Sequence, residues 1–147
     1  MIQRIQSLYL LLAAAAGAAA LSFNLWKATL TNSTNPSYVN ASSNYLLFVL
    51  YIIIILVSLT TIFLFKKRKL QFRLTIFNIL FAFGALAYQY YVVQQTANKL
   101  SSGGVSIVSA SYLPASFLPI VVIILLFLAV RGIYKDEKLI KSLDRLR

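Results

Sequence analysis

The chain contains no cysteine and no histidine. Disulfides, thiol nucleophiles, thiolate metal sites and imidazole relays are therefore ruled out, and quinone-linked disulfide chemistry with them. Acid is nearly as scarce. Asp136, Glu137 and Asp144 are the only carboxylate side chains, and all lie after the last apolar run. Proton-coupled transporters and metal–phosphate enzymes rely on carboxylates at membrane depth. A chain with none expected there is a poor candidate for either class.

What the chain has instead is apolar length. Of its 147 residues 60% are hydrophobic, and the mean hydropathy is +0.80, whereas soluble domains hold about half apolar residues. The runs 5–25, 46–65, 74–93 and 113–130 carry no charge, and each is long enough to cross a hydrocarbon core of about 30 Å. The expected fold class is an all-α membrane protein: one domain over 1–147, a bundle of four transmembrane helices with a cytoplasmic tail, 131–147. A signal peptide is the competing reading of the first run, with Arg4 as a basic start and Ala18-Ala19-Ala20 as small residues. Against it, the apolar stretch continues past those alanines to Trp26.

The formal charge is +11, and its distribution gives an orientation. Every basic residue except Lys27 and Lys99 falls at the N-terminus, between the second and third runs, or after the fourth. By the positive-inside rule both termini face the cytoplasm, so the charge reflects topology and anionic lipid headgroups, and no nucleic acid partner is expected. Trp26, Tyr45, Tyr91 and Tyr112 are expected in the outer aromatic belt, Tyr9 and Tyr134 in the inner one.

Helix association in lipid relies on close packing and polar contacts. In the first run Ala13, Gly17 and Ala20 belong to a small-residue stretch, which suits either an internal seam or the face of another protein. In the third, Phe77, Phe81, Tyr88 and Gln95 roughly share a face with Gly84 between them. Asn78 is read as the one strongly polar side chain deep in a span and is expected to bond to a neighbouring helix. Pro114 is tolerable in an opening helical turn; Pro119 is expected to kink the outer end of the fourth helix.

Two outer loops, Lys27–Asn44 and Gln94–Tyr112, each contain a patch of period-2 alternation: Trp26, Ala28 and Leu30 in one, Val105 and Ile107 in the other. These are expected to pair into a small β cap. The first loop also contains Asn32-Ser33-Thr34 and Asn40-Ala41-Ser42, which match the glycosylation pattern, as short polar loops do by chance. On the inner side, Lys66, Lys67, Arg68 and Lys69 serve as a topology anchor and candidate headgroup contacts. The tail continues the fourth helix as an amphipathic segment. Leu139, Ile140, Leu143 and Leu146 form its stripe, Glu137/Lys141 and Asp144/Arg147 its ion pairs, and Arg145 and Arg147 its terminal cations. It suits the inner leaflet or a protein partner equally.

The two ends carry a resemblance. The opening Met1-Ile2-Gln3-Arg4-Ile5-Gln6-Ser7-Leu8-Tyr9, and the close from Arg131-Gly132-Ile133 through Lys135-Asp136-Glu137-Lys138 to Asp144-Arg145-Leu146-Arg147, resemble those of a family of small four-span membrane proteins from Bacteroidota, a domain of unknown function. The resemblance implies a bacterial inner membrane and supplies no activity, cofactor or catalytic residue.

The leading expectation is a non-enzymatic accessory or structural subunit that meets other membrane proteins through its first or third helix. Second is a carrier of lipid or a small hydrophobic molecule, with a groove near Pro119 and Asn78. A membrane enzyme comes third, since only Tyr, Ser, Asn and Arg could serve and a tyrosine at membrane depth without a cationic or basic neighbour is poorly activated.

Overall fold

A computed structural model describes residues 2–31, 33–102 and 106–144. It contains four long helices, α1 (Ile2–Ser22), α2 (Tyr45–Phe63), α3 (Arg68–Ser102) and α4 (Leu118–Asp144), and three strands, β1 (Asn24–Leu30), β2 (Ser33–Asn40) and β3 (Ile107–Tyr112). Each helix is long and apolar enough to cross a membrane. Their contacts run round a ring, α1 to α2 to α3 to α4 and back to α1, so consecutive helices are antiparallel neighbours in an up-down-up-down bundle.

One spacing organises all four helices. Buried positions recur at alternating steps of four and three: Gln6, Leu10, Ala13, Gly17 and Ala20 in α1; Leu47, Tyr51, Ile54, Ser58 and Thr61 in α2; Gln71, Thr75, Asn78, Ala82, Ala85, Gln89 and Val92 in α3; Val122, Leu126, Ala129, Ile133 and Asp136 in α4. That is the seam of left-handed helix packing. Here the seam is small and polar, while Leu56, Phe63, Phe77, Leu80, Phe83 and Phe127 point outward.

The helix boundaries follow from local chemistry. Asn44 caps α2 by accepting from the Leu47 amide at 3.3 Å. Asn40 does the same for the short 3-10 turn at Ala41–Ser43, accepting from Ser42 N at 3.1 Å, so its side chain has a local structural role. A tight 3-10 turn, Leu64–Lys66, joins α2 to α3.

The strands sit at the opposite end, in the order β2-β1-β3 with both pairings antiparallel. The expected pairing of the two alternating patches is present: Trp26 lies opposite Tyr112, Ala28 opposite Ala110 and Leu30 opposite Ile107. Thr29 and Thr31 hydroxyls reinforce it through Ser109 and Ser106. Val105 lies outside the described residues.

Several expectations are corrected. The first helix ends at Ser22, and Leu25 and Trp26 belong to β1. Trp26 is not interfacial but buried against Val92 and Val93. β2 arises from a Ser/Thr/Asn-rich stretch without alternation, and it tolerates Pro36 because it is an edge strand. The third helix does not stop at Val93 but runs to Ser102, because Val92, Val93, Ala97 and Leu100 continue its packing against the sheet. Pro119 is the second residue of α4, following a 3-10 turn at Pro114–Phe117. In the first helical turn its missing N–H breaks no helix bond, which removes the reason for a kink.

Candidate functional site

The buried polar residues form three groups on the helix seam. At the end holding the α2–α3 turn, Gln6 Nε2 donates to Asp136 Oδ2 at 2.7 Å, and Arg68 Nη1 lies 3.7 Å from the same oxygen. Asp136 is 8% exposed. This cluster ties the start of α1, the start of α3 and the far part of α4 together. Gly132 makes it possible: a Cβ there would lie 2.8 Å from Gln6 Cγ. The N-terminal and C-terminal stretches that carry the family resemblance thus meet in space at Gln6, Gly132 and Asp136.

Midway, Asn78 Nδ2 donates to Ile54 O at 3.2 Å and Ser58 Oγ at 2.8 Å, the expected interhelical bond. Below it, Gln71 Nε2 donates to Thr61 O at 3.2 Å. Toward the sheet, the Tyr51 hydroxyl donates to Gln89 Oε1 at 2.7 Å, Gln89 Nε2 to Ser116 O at 3.1 Å, and Ser116 Oγ to Leu25 O. Leu113 N also donates to Leu25 O, at 2.9 Å. This relay joins α2, α3, the turn before α4 and the central strand. Apart from Asn78 Oδ1, which is buried with no hydrogen-bond partner among the described residues, these groups bond to one another across elements, and among the described residues no cluster of three or more potential metal ligands occurs.

An apolar cleft of about 570 Å³ opens at the sheet end, lined by Ala19, Phe23, Asn24, Tyr38, Pro114 and Leu118 among others. Lys27 stands opposite Tyr38 across the β1–β2 ladder. A smaller groove of about 390 Å³ lies between α3 and α4 near the other end.

The residues singled out from the sequence separate accordingly. Ala13, Gly17 and Ala20 are buried inside the bundle, and a Cβ on Gly17 would meet Ile55 Cγ1 at 3.1 Å. The small-residue face is an internal seam. Phe77 and Phe81 are exposed and Gly84 opens on empty space, so they do not pack within the bundle as Asn78 does. Asn78 is not alone either: Gln89, in the same run, is also buried, as are Gln6, Gln71 and Asp136, none of which the hydropathy of the runs singles out. The repeating four-three phase was the signal that could have found them. Lys67 and Lys69 are exposed, but Arg68 faces Asp136 and is not a free headgroup contact. The tail does not separate from the bundle at Arg131, since Ile133 and Asp136 are buried. Leu139 is exposed. The side chains of Lys66, Ile140 and Leu143, and Arg145, Leu146 and Arg147 altogether, lie outside the described residues, and so do both expected tail ion pairs. Asn78 is buried and bonded to α2, so its side chain does not line an open groove near Pro119.

Fold and site together define a bundle of four long apolar helices with a three-stranded cap and a polar seam. The chain belongs to the family described as a domain of unknown function, DUF4293, which matches residues 2–146. No curated protein and no solved structure matches it.

Proposed function

We propose that this protein is a non-enzymatic, four-span protein of a bacterial inner membrane, with the sheet outside and both termini in the cytoplasm, serving as an accessory subunit of a larger membrane assembly. The observation that carries the reading is the division of labour between the two surfaces of the bundle. The polar side chains are spent inside, bonding helix to helix. The outer surface exposes many large apolar side chains, and on α3 Phe77, Leu80, Phe81 and Phe83 stand exposed near Gly84, whose missing Cβ would meet no described atom within 4 Å. A neighbouring helix can approach closely at such a glycine. Purification in a gentle detergent followed by mass spectrometry tests this: a stoichiometric co-purifying membrane protein, lost on Gly84→Leu, is the expected result. A lone monomer would overturn it.

A second reading, binding of lipid or a small hydrophobic molecule, is favoured by the cleft at the sheet end. Its lining is mostly apolar and includes Asn24 and Tyr38, and its volume is within the range of about 300–1,000 Å³ usual for small-molecule sites. An apolar molecule retained there at fixed stoichiometry, and displaced by Ala19→Phe, is expected on this reading.

A further inference from the structure

The α3–α4 groove lies at the opposite end from that cleft. Its walls are Phe72 on α3 and Phe127, Leu128, Val130, Arg131 and Tyr134 on α4. The Phe72 and Tyr134 rings approach to 6.4 Å between centroids. Along α4 the character of the lining changes in one direction. Phe127 and Leu128 come first, then Arg131 and Tyr134, and one and two turns beyond Arg131 come Lys135 and Lys138. Arg131, Tyr134, Lys135 and Lys138 recur at helical spacing, so they share one face, and all four are exposed. The nearest acids do not neutralise this face. Asp136 is buried and turned toward Gln6 and Arg68, and Glu137 projects about 100° away around the helix. Among the described residues, none of these three cations forms an ion pair with a carboxylate.

We propose that this groove is a binding site for one anionic phospholipid of the cytoplasmic leaflet. An acyl chain lies against Phe72, Phe127 and Leu128, and the phosphate meets Arg131, with Lys135 and Lys138 toward the rest of the headgroup. The apolar-to-basic gradient runs along the helix axis, as a lipid's own gradient runs along the membrane normal. Arg131 supplies the planar fork that suits a phosphate. Basic pockets between helices on the cytoplasmic side are a recurring solution for such headgroups. The assignment rests on the membrane reading above but not on the accessory-subunit reading.

The test uses the full chain, purified in detergent, stripped of lipid and offered equal amounts of phosphatidylglycerol and phosphatidylcholine with identical acyl chains. Native mass spectrometry is expected to show one phosphatidylglycerol per chain, retained in preference to phosphatidylcholine. Arg131→Gln is expected to lower its apparent affinity about fivefold, the loss of roughly 1 kcal/mol from one cation near an anionic surface. Leu128→Phe, which fills the groove without touching charge, is expected to reduce retention of both lipids. Lys67→Gln with Lys69→Gln is expected to leave it unchanged. Trp26, buried at the far end, reports by its emission that each variant is folded, and Lys135→Gln replaces Arg131→Gln if that one is not. Equal retention of the two lipids, equal losses in the Lys67/Lys69 and Arg131 variants, or a two-chain species with no lipid would each overturn the assignment. A chain that stays soluble without detergent would refute the membrane reading itself.

Discussion

Two glycines on the same kind of helix make opposite demands. Gly132 stands where a methyl group would press on Gln6 Cγ at 2.8 Å, whereas Gly84 faces open space. Gly132→Ala is therefore expected to push the Gln6 side chain off Asp136 and lower the melting temperature in detergent. Gly84→Ala should leave the fold intact and favour the helix by up to about 1 kcal/mol. Equal effects of the two in thermal melts would contradict this account of the α1–α4 contact. Asn78→Leu removes the bonds to Ile54 O and Ser58 Oγ. It is expected to cost roughly 1 kcal/mol, the worth of an interhelical polar contact in a membrane, read as a lower melting point with helix content unchanged. Asn78 was legible in advance because an amide deep in an apolar run needs a partner. Asp136 was not, because a carboxylate beyond an apolar run reads as solvated until α1 and α3 are placed beside it.

At the scale of elements, the sheet is attached to the bundle by the apolar cluster of Trp26 and Ala28 with Val92 and Val93 and by a few polar links, with Gln89 at their centre. Gln89→Leu would leave the Tyr51 hydroxyl and the Ser116 carbonyl without their partners, and unmade buried bonds cost about 1–3 kcal/mol each. Amide exchange in Leu25–Ala28 and at Leu113 is expected to accelerate tenfold or more, while the α2–α3 contact around Asn78 keeps its protection. Uniform acceleration would mean that the sheet and bundle open as one unit. The alternating patch that became β1 was visible in sequence because Trp26 and Ala28 are buried with Val92 and Val93 of α3, whereas β3 is exposed apart from half-buried Ile107 and is held by its pairing with β1. β2 was not visible, since among its described positions only Val39 is buried, which leaves no apolar alternation to read. The length of α3 was hidden for a related reason. Val92, Val93, Ala97 and Leu100 prolong the helix by packing on a sheet that hydropathy does not reveal.

The whole molecule is polarised, with cations at the α2–α3 turn and helix ends, and a sheet whose strands contain only Lys27 as a charge. Because the chain has no cysteine, single cysteines can test the orientation without background. Ser42→Cys, exposed beside the sheet, is expected to react with a membrane-impermeant maleimide in intact cells. Lys67→Cys, exposed at the turn, is expected to react only after lysis. The reverse pattern would invert the proposed topology, and labelling of both in intact cells would remove it.

The apolar runs, the bias of charge and the absence of cysteine and histidine by themselves determined that four long helices form, which end of the bundle is basic, and which chemistries are excluded. Those properties depend on residues adjacent in the chain. Only the tertiary structure decided that the small face of α1 is spent internally, that the Phe77–Phe81 face is outward, and that Gln6, Arg68 and Asp136 meet. Each of these depends on which way a helix is rotated about its axis. That rotation is set by side chains more than a hundred residues apart in the case of Gln6 and Asp136, where a glycine lets two helices approach closely enough to bond.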